Sequence, residues 1–295
     1  MKIARIVTPD GVPAWAVVDE ARAAAQRLAG AFADWAPQAA RGELSGLPLT
    51  GPLEPLDRVR LLAPVDPSGR IFGVGLNYLA HLTKLGRRKE APPHTVGYIK
   101  PLSALVDPGG VIAYPPTTRQ LDYEIELVAV IARALGDHGP ASEALLGYTI
   151  GNDGSARDAG KDVGIADLFG QKALDASAPV GPWITTLDEI GGPGQPSLDL
   201  EMKVNGEVRQ TDNTATMIFG IDELLNFVDV RVSLRPGDVV FTGTTCGVGL
   251  EDGRFLQPGD RLEAYIEKIG VLSASVGPPR ALSPARAEGR LGLPI

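Results

Sequence analysis

Three carboxylates near the middle of the chain have the spacing of a ligand set for a hard metal ion: Glu124 and Glu126 in LDYEIELVAVIA, and Asp153 in GYTIGNDGSARD. The first segment is apolar, rich in β-branched residues and preceded by the turn-like PPTTRQ, so it reads as a strand. Alternation along a strand points Asp122, Glu124 and Glu126 the same way. The second segment, GYTIG, is a short apolar run that delivers Asp153 at its end. Two strand carboxylates and one from a strand end can make an oxygen cage with open positions, which suits Mg²⁺ or Mn²⁺. Zinc or copper would want imidazole and thiolate, and the chain has three His and one Cys. Taken alone, the doublet favours a solvated strand face with a turn-capping aspartate. The segments downstream reverse that preference.

The elements that must position these residues are mostly short strands. KIARIVT and AWAVVDE flank Pro9-Asp10-Gly11 as a hairpin, and a helical stretch follows near AFADWAPQAARGEL. The Pro/Gly-rich passage GPLEPLDRVRLLAPVDPSG closes a small N-terminal unit, predicted as residues 1–65. IFGVGL opens the main body, predicted as residues 66–277, and NYLAHLTKLGRRKEAPPHTVG reads as a short helix within a loop. Asn205-Gly206 marks a second hairpin turn. IDELLNFVDVRVSL reads as a helix, with Ile221, Leu224, Leu225 and Val228 in i, i+3, i+4, i+7 order. GDVVFTG and DRLEAYIEKIGVLSASV supply late strands, and residues 278–295 form a loosely held tail. Strands that do not alternate regularly with helices predict an α+β, mainly-β body over a doubly wound sheet.

Composition excludes several function classes. An apolar fraction of 44% and a charged fraction of 22% describe an ordinary soluble globule. The net charge of −8 argues against nucleic acid, which wants a basic face. Cys246 stands alone, which rules out an internal disulfide and fits a reducing compartment. The N-terminus breaks at Pro9-Asp10-Gly11 before a signal-peptide core, and no apolar stretch approaches the roughly 20 residues of a membrane span. A cytoplasmic protein is expected.

Six segments in order carry a resemblance: IFGVGLNYLAHL, DYEIELVAVI, GYTIGNDGSARD, FGQKALDASAPVGPWI, VNGEVRQTDNTATMIFGIDELL and PGDVVFTGTTCGVG. Together they resemble the fumarylacetoacetate hydrolase family over roughly residues 65 to 276. The resemblance implies a β-sheet roll with a few helices, a small variable N-terminal domain and a homodimer. Known members cleave acylpyruvates, decarboxylate oxaloacetate, isomerise dienoic diacids or dehydrate sugar acids. It also implies a 2-oxo acid substrate, or its enol, chelated to Mg²⁺ or Mn²⁺ on Glu124, Glu126 and Asp153, the three residues found from strand geometry.

The same resemblance places the active-site lysine on Lys172 in GQKALD and the lid histidine on His81 in NYLAHL. An ammonium there stabilises the negative charge of an enolate and offsets three carboxylates. Read alone, Lys172 is a surface lysine and His81 a structural histidine; the matched segments give them catalytic roles. Thr242-Gly243-Thr244 resembles the loop that holds the substrate carboxylate, which hydroxyls and backbone N–H groups beside glycine suit. His94 and His138 have no such context and are assigned to surface loops.

Two departures bear on the chemistry. In hydrolytic members an acid three residues after the lid histidine helps it activate water; here that place is Lys84. Either another carboxylate, such as Glu90, replaces the partner, or water activation is absent. Thr245 stands where the loop usually has Pro. Lys84, Arg87, Arg88 and Lys89 form a basic cluster that either draws in a dianion or is simply a solvated loop. The expected activity is metal-dependent C–C hydrolysis of an acylpyruvate, with oxaloacetate-type decarboxylation or enol/keto isomerisation as the alternative, and a non-catalytic relative with a dead site as the third reading.

Overall fold

The computed structural model describes residues 1–279 except 87–89, 137, 138, 163 and 166. His138, three members of the basic cluster (Arg87, Arg88, Lys89) and tail residues 280–295 therefore lie outside the described residues. Residues 278 and 279 belong to the last strand, Gly270–Pro279.

The strand Ile125–Ile131 is the spine of the molecule, and all seven of its residues are buried. It is covered on both sides, which is why it reads as a continuous apolar run. Ile125, Leu127, Ala129 and Ile131 face the larger core. Val128 and Val130 point the other way, into a second core. By the same alternation Glu126 shares their face, so the site sits at the end of that second core.

Among the described residues the spine lies within a twelve-stranded mixed sheet. Leu145–Asn152 flanks it on one side and Val239–Phe241 on the other, both antiparallel. Beyond Val239–Phe241 come Ile71–Gly75, in parallel register, and Val96–Lys100 at the edge. A five-stranded sheet, from Glu207–Asn213 through Asp199–Val204, Arg261–Ile266 and Gly270–Pro279 to Val111–Tyr114, supplies much of the opposing layer of the larger core.

The expected N-terminal hairpin forms between Lys2–Val7 and Pro13–Asp19. Its sheet is continuous with the main one, because Lys2–Val7 pairs with Ala178–Thr186. The helix Phe32–Ala40 buries Phe32, Trp35, Ala36 and Ala39, a 3.6-residue stripe. Trp15, Phe32 and Trp35 pack with ring centroids 4.9–5.7 Å apart, Trp35 edge-on to the other two, in the same core as Val128, Val130 and Phe241. The small N-terminal region thus roofs the face of the sheet on which Glu126 lies.

The helix at Ile221–Asp229 buries Ile221, Leu224, Leu225 and Val228, as its periodicity predicts, and ends before VRVSL. The carboxylate strand differs from expectation in being interrupted: Leu121–Asp122 pairs with Ser155–Ala156, and regular pairing resumes only at Ile125. Among the described residues no helix is long and apolar enough to cross a membrane.

Candidate metal centre and its lid

The interruption of the strand is what builds the site. At Glu124 the side chain of Asn152 takes over the ladder, its Oδ1 accepting from the Glu124 N–H at 2.9 Å. The Asp153 N–H then donates to the Glu124 carbonyl at 2.8 Å. Asp153 is thereby turned towards the two glutamates instead of continuing across the sheet. Glu124, Glu126 and Asp153 each offer an oxygen within 4.8 Å of the others, and all three are buried.

Donors surround this triad. Lys172, at the end of the helix Leu168–Lys172, donates from Nζ to Asp153 Oδ2 at 2.5 Å, to Ser155 Oγ at 2.7 Å and to Glu124 Oε2. The Tyr98 hydroxyl donates to Asp153 Oδ2, and Arg157 Nη2 donates to Glu124 Oε1. The Gly243 N–H donates to Glu126 Oε2 at 2.7 Å. Gly243 has φ +93°, and a Cβ there would lie 2.9 Å from Asn77 Cβ, so the close approach needs glycine. Lys100 is fully buried behind Asp153 and donates to the carbonyls of Lys172 (2.7 Å) and Gly154 (3.2 Å).

The electrostatics are divided. Burial pushes the Glu126 carboxyl well above the usual range, and the charges of Asp153 and Glu124 push it further. Burial acts on Glu124 in the same direction, but the adjacent Arg157 and Lys172 cations outweigh it and hold that carboxyl low. Lys172 is held above the ordinary lysine range: burial opposes its charge, and Asp153 and Glu124 overcome that opposition. Burial lowers Lys100.

These residues fit a hard divalent cation. Asp153 Oδ1 is buried and accepts no hydrogen bond, although Lys100 Nζ lies obliquely at 2.7 Å. A glutamate pushed towards its neutral form by burial and two neighbouring carboxylates marks a cluster that a bound cation would relieve. All three donors are carboxylate oxygens, the set suited to Mg²⁺ or Mn²⁺.

His81 closes the site from the helix Leu79–Lys84. Its Nδ1 lies 2.9 Å from Glu251 Oε1, and the other Glu251 oxygen accepts from the Gly247 N–H at 2.8 Å. The acidic partner absent from position 84 is therefore supplied by the short helix Gly249–Asp252, 170 residues away in sequence. Lys84 and Glu90 are both exposed. In the neutral ring, an acceptor at Nδ1 places the proton there and leaves Nε2 with its lone pair.

His81, Glu124, Glu126, Arg157, Lys172 and Thr244 are among the residues around one pocket of about 100 Å³. The structure thus brings the expected metal and catalytic residues together with one member of the Thr242-Gly243-Thr244 loop. The Thr242 and Thr244 hydroxyls donate to the Leu127 and Ile125 carbonyls, each at 2.8 Å, so both protons are used in pinning the loop to the spine. Thr245, where proline was expected, donates to Asp212. Sequence reasoning did not single out Glu251, Arg157, Tyr98 or Lys100. Arg157 lay inside a matched segment and could have been found as a cation near an acidic set, whereas Tyr98 and Lys100 lay between matched segments. Glu251 carried no spacing signal.

Comparison with known proteins agrees with this architecture. Residues 70–277 match the family described as Fumarylacetoacetate (FAA) hydrolase C-terminal, and residues 1–64 match Rv2993c-like, N-terminal. Protein Rv2993c of Mycobacterium tuberculosis is 37% identical over 94% of this chain and 98% of its own. The oxaloacetate tautomerase Fahd2a of Rattus norvegicus is 36% identical over 75% of this chain and 70% of its own. Among solved structures, a 5-carboxymethyl-2-hydroxymuconate delta-isomerase from Mycobacterium smegmatis superposes with TM-score 0.76 at 33% identity, covering 94% of this chain and 99% of that one. A fumarylpyruvate hydrolase from Pseudomonas aeruginosa, in complex with Mn²⁺ and pyruvate, superposes with TM-score 0.63 at 32% identity, covering 75% and 92%. On the length of the family match and the identity of these relatives, the chain belongs to the fumarylacetoacetate hydrolase family.

Proposed function

We propose that this chain is a divalent-metal-dependent enzyme acting at C3 of a 2-oxo acid, and that it hydrolyses the C–C bond of an acylpyruvate. The observation that carries this reading is the His81–Glu251 pair beside the buried triad. It supplies the carboxylate-supported base whose absence from position 84 was the objection to hydrolysis.

A Mg²⁺ or Mn²⁺ ion on Glu124, Glu126 and Asp153 would act as a Lewis acid on the substrate's 2-oxo group and as a template for its carboxylate. The protein does the rest. His81 Nε2 takes a proton from water, and Glu251 supports the imidazolium that forms. The water oxygen bonds to the distal carbonyl carbon, the bond from that carbon to C3 breaks, and the electron pair stays with the pyruvyl fragment. Lys172 faces the developing negative charge, and the proton held by His81 returns to C3. Arg157, already fixed on Glu124, keeps that ligand ionised.

A second reading is favoured by the oxaloacetate tautomerases among the relatives. In keto–enol exchange of oxaloacetate, His81 would move one proton between C3 and the C2 oxygen, and no water would be consumed. We also propose that the molecule works as a homodimer on a small-molecule substrate.

Proton NMR of the Mn²⁺- or Mg²⁺-treated protein with acetylpyruvate and with freshly dissolved oxaloacetate separates these outcomes. Acetate and pyruvate in equal amounts mean hydrolysis. Accelerated loss of enol with total oxaloacetate conserved means tautomerisation, and pyruvate from oxaloacetate means decarboxylation. Metal-independent turnover, or none with any of these substrates, would defeat the proposal.

A further inference from the structure

Asp122 is the third acidic side chain on the ligand face of the carboxylate strand, yet it stands outside the triad. It is fully buried and accepts four hydrogen bonds. Its Oδ1 accepts from the N–H groups of Gly249 at 2.6 Å and Tyr123 at 3.0 Å. Its Oδ2 accepts from the Leu250 N–H at 3.0 Å and from Arg157 Nε at 2.8 Å. A buried carboxylate is costly unless it is paired and hydrogen-bonded, and the donors that satisfy this one come from the two halves of the site.

On one side, Gly249 and Leu250 open the short helix whose Glu251 holds His81. On the other, Arg157 reaches past Asp122 to Oε1 of the candidate ligand Glu124. The approach is tight. A Cβ on Gly249 would lie 2.7 Å from Asp122 Oδ1 and 2.6 Å from the Arg254 carbonyl, so glycine is what lets the chain come this near. A single carboxylate thus touches the scaffold of the base pair and the scaffold of the ligand set.

We propose that Asp122 is a positioning residue that couples the metal ligands to the His81–Glu251 pair, so that the base is aimed only when the ligand set is in order. This rests on the reading of His81 and Glu251 as the site's base. Asp122 touches neither substrate nor metal, and it acts through Arg157 and through the start of the Glu251 helix.

The test needs no turnover. Asp122→Asn keeps the shape, but whichever way the amide turns, its NH₂ faces two donors that the carboxylate satisfied. Two readouts are taken: Mn²⁺ affinity by electron paramagnetic resonance, and the His81 tautomer by ¹⁵N NMR with and without Mg²⁺. The chain has three histidines, so a His81→Gln spectrum assigns the signal. Asp122→Asn is expected to weaken Mn²⁺ about 10–100-fold, the usual effect of losing a partner behind a ligand. It is also expected to turn the Nδ1–H form of His81 into a mixture. Glu251→Ala, which removes the partner of His81 without touching Asp122, should change the tautomer and leave Mn²⁺ affinity as it was, whereas Leu250→Pro, which removes a donor to Asp122 Oδ2, should change the tautomer and weaken Mn²⁺ as well.

If Asp122→Asn moves only one readout, or neither, the coupling is wrong. If that variant fails to fold by circular dichroism, Leu250→Pro decides, and an unchanged tautomer or an unchanged Mn²⁺ affinity there overturns the proposal. Failure of the enzymatic reading looks different: both readouts respond as expected while no 2-oxo acid is turned over.

Discussion

At the scale of single residues, the proposed hydrolysis turns on the pairing of His81 with Glu251. A base that must activate water needs a carboxylate to orient it and to support its charge. We expect Glu251→Gln to lower kcat nearly as far as His81→Ala, by a factor of about 10²–10⁴, the usual worth of a positioned general base. Lys84→Glu and Glu90→Gln change exposed side chains and should leave kcat close to wild type. The same assay on all four variants checks this; a large loss in Glu90→Gln with none in Glu251→Gln would reassign the pair. Lys172→Met should lower kcat by on the order of 10²–10³ while metal binding persists, because single donors to a developing charge have that weight.

At the scale of elements, the site depends on where regular pairing stops. Period-2 alternation correctly put Glu124 and Glu126 on one face, and that much was legible because one face of a strand is a local property. Asp153 could be read as the end of a strand. That Asn152 would replace the ladder bond at Glu124 could not, since it needs the partner strand's register. Glu251 was illegible for the same reason: no local pattern ties the helix Gly249–Asp252 to one that begins at Leu79. The loop Thr242-Gly243-Thr244 shows the limit of motif transfer, because its two threonine hydroxyls are bonded to the spine. Gly243→Ala should therefore act on the metal through Glu126. It forces alanine into φ +93° against Asn77, a strain of about 1–3 kcal/mol, and pushes away the N–H that holds Glu126. Thermal unfolding and Mn²⁺ affinity should both fall; an unaffected Mn²⁺ affinity would mean that this N–H does not position the ligand.

At the scale of the whole molecule, the N-terminal strands are the continuation of the sheet that carries the site. Composition marked a Pro/Gly-rich passage near residue 65, but it held no sign that Lys2–Val7 would pair with Ala178–Thr186. Trp35 and Phe32 share one core with Val128 and Val130, on the strand face that bears Glu126. Trp35→Ala should therefore cost about 3–5 kcal/mol, as large-to-small changes in packed aromatic cores do. Unfolding should remain a single transition, since the N-terminal region has no separate sheet to melt. Two resolved calorimetric transitions would show instead that the two regions fold independently.

The account stands or falls on a cation held by the three carboxylates. Calorimetric titration of chelator-treated protein with Mn²⁺, run in buffers of different ionisation enthalpy and at several pH values, measures it directly. One ion should bind per chain, and binding should release protons and strengthen as pH rises. The sign follows from Glu126, whose carboxyl burial and its charged neighbours push well above the usual range, so that any proton it holds must leave before it can serve as a ligand. Glu124→Gln and Asp153→Asn should each abolish binding while the fold persists, because each amide is nearly isosteric with the acid and keeps an oxygen that can accept from Lys172. Wild-type-like Mn²⁺ affinity in both variants would contradict the metal centre and the function built on it.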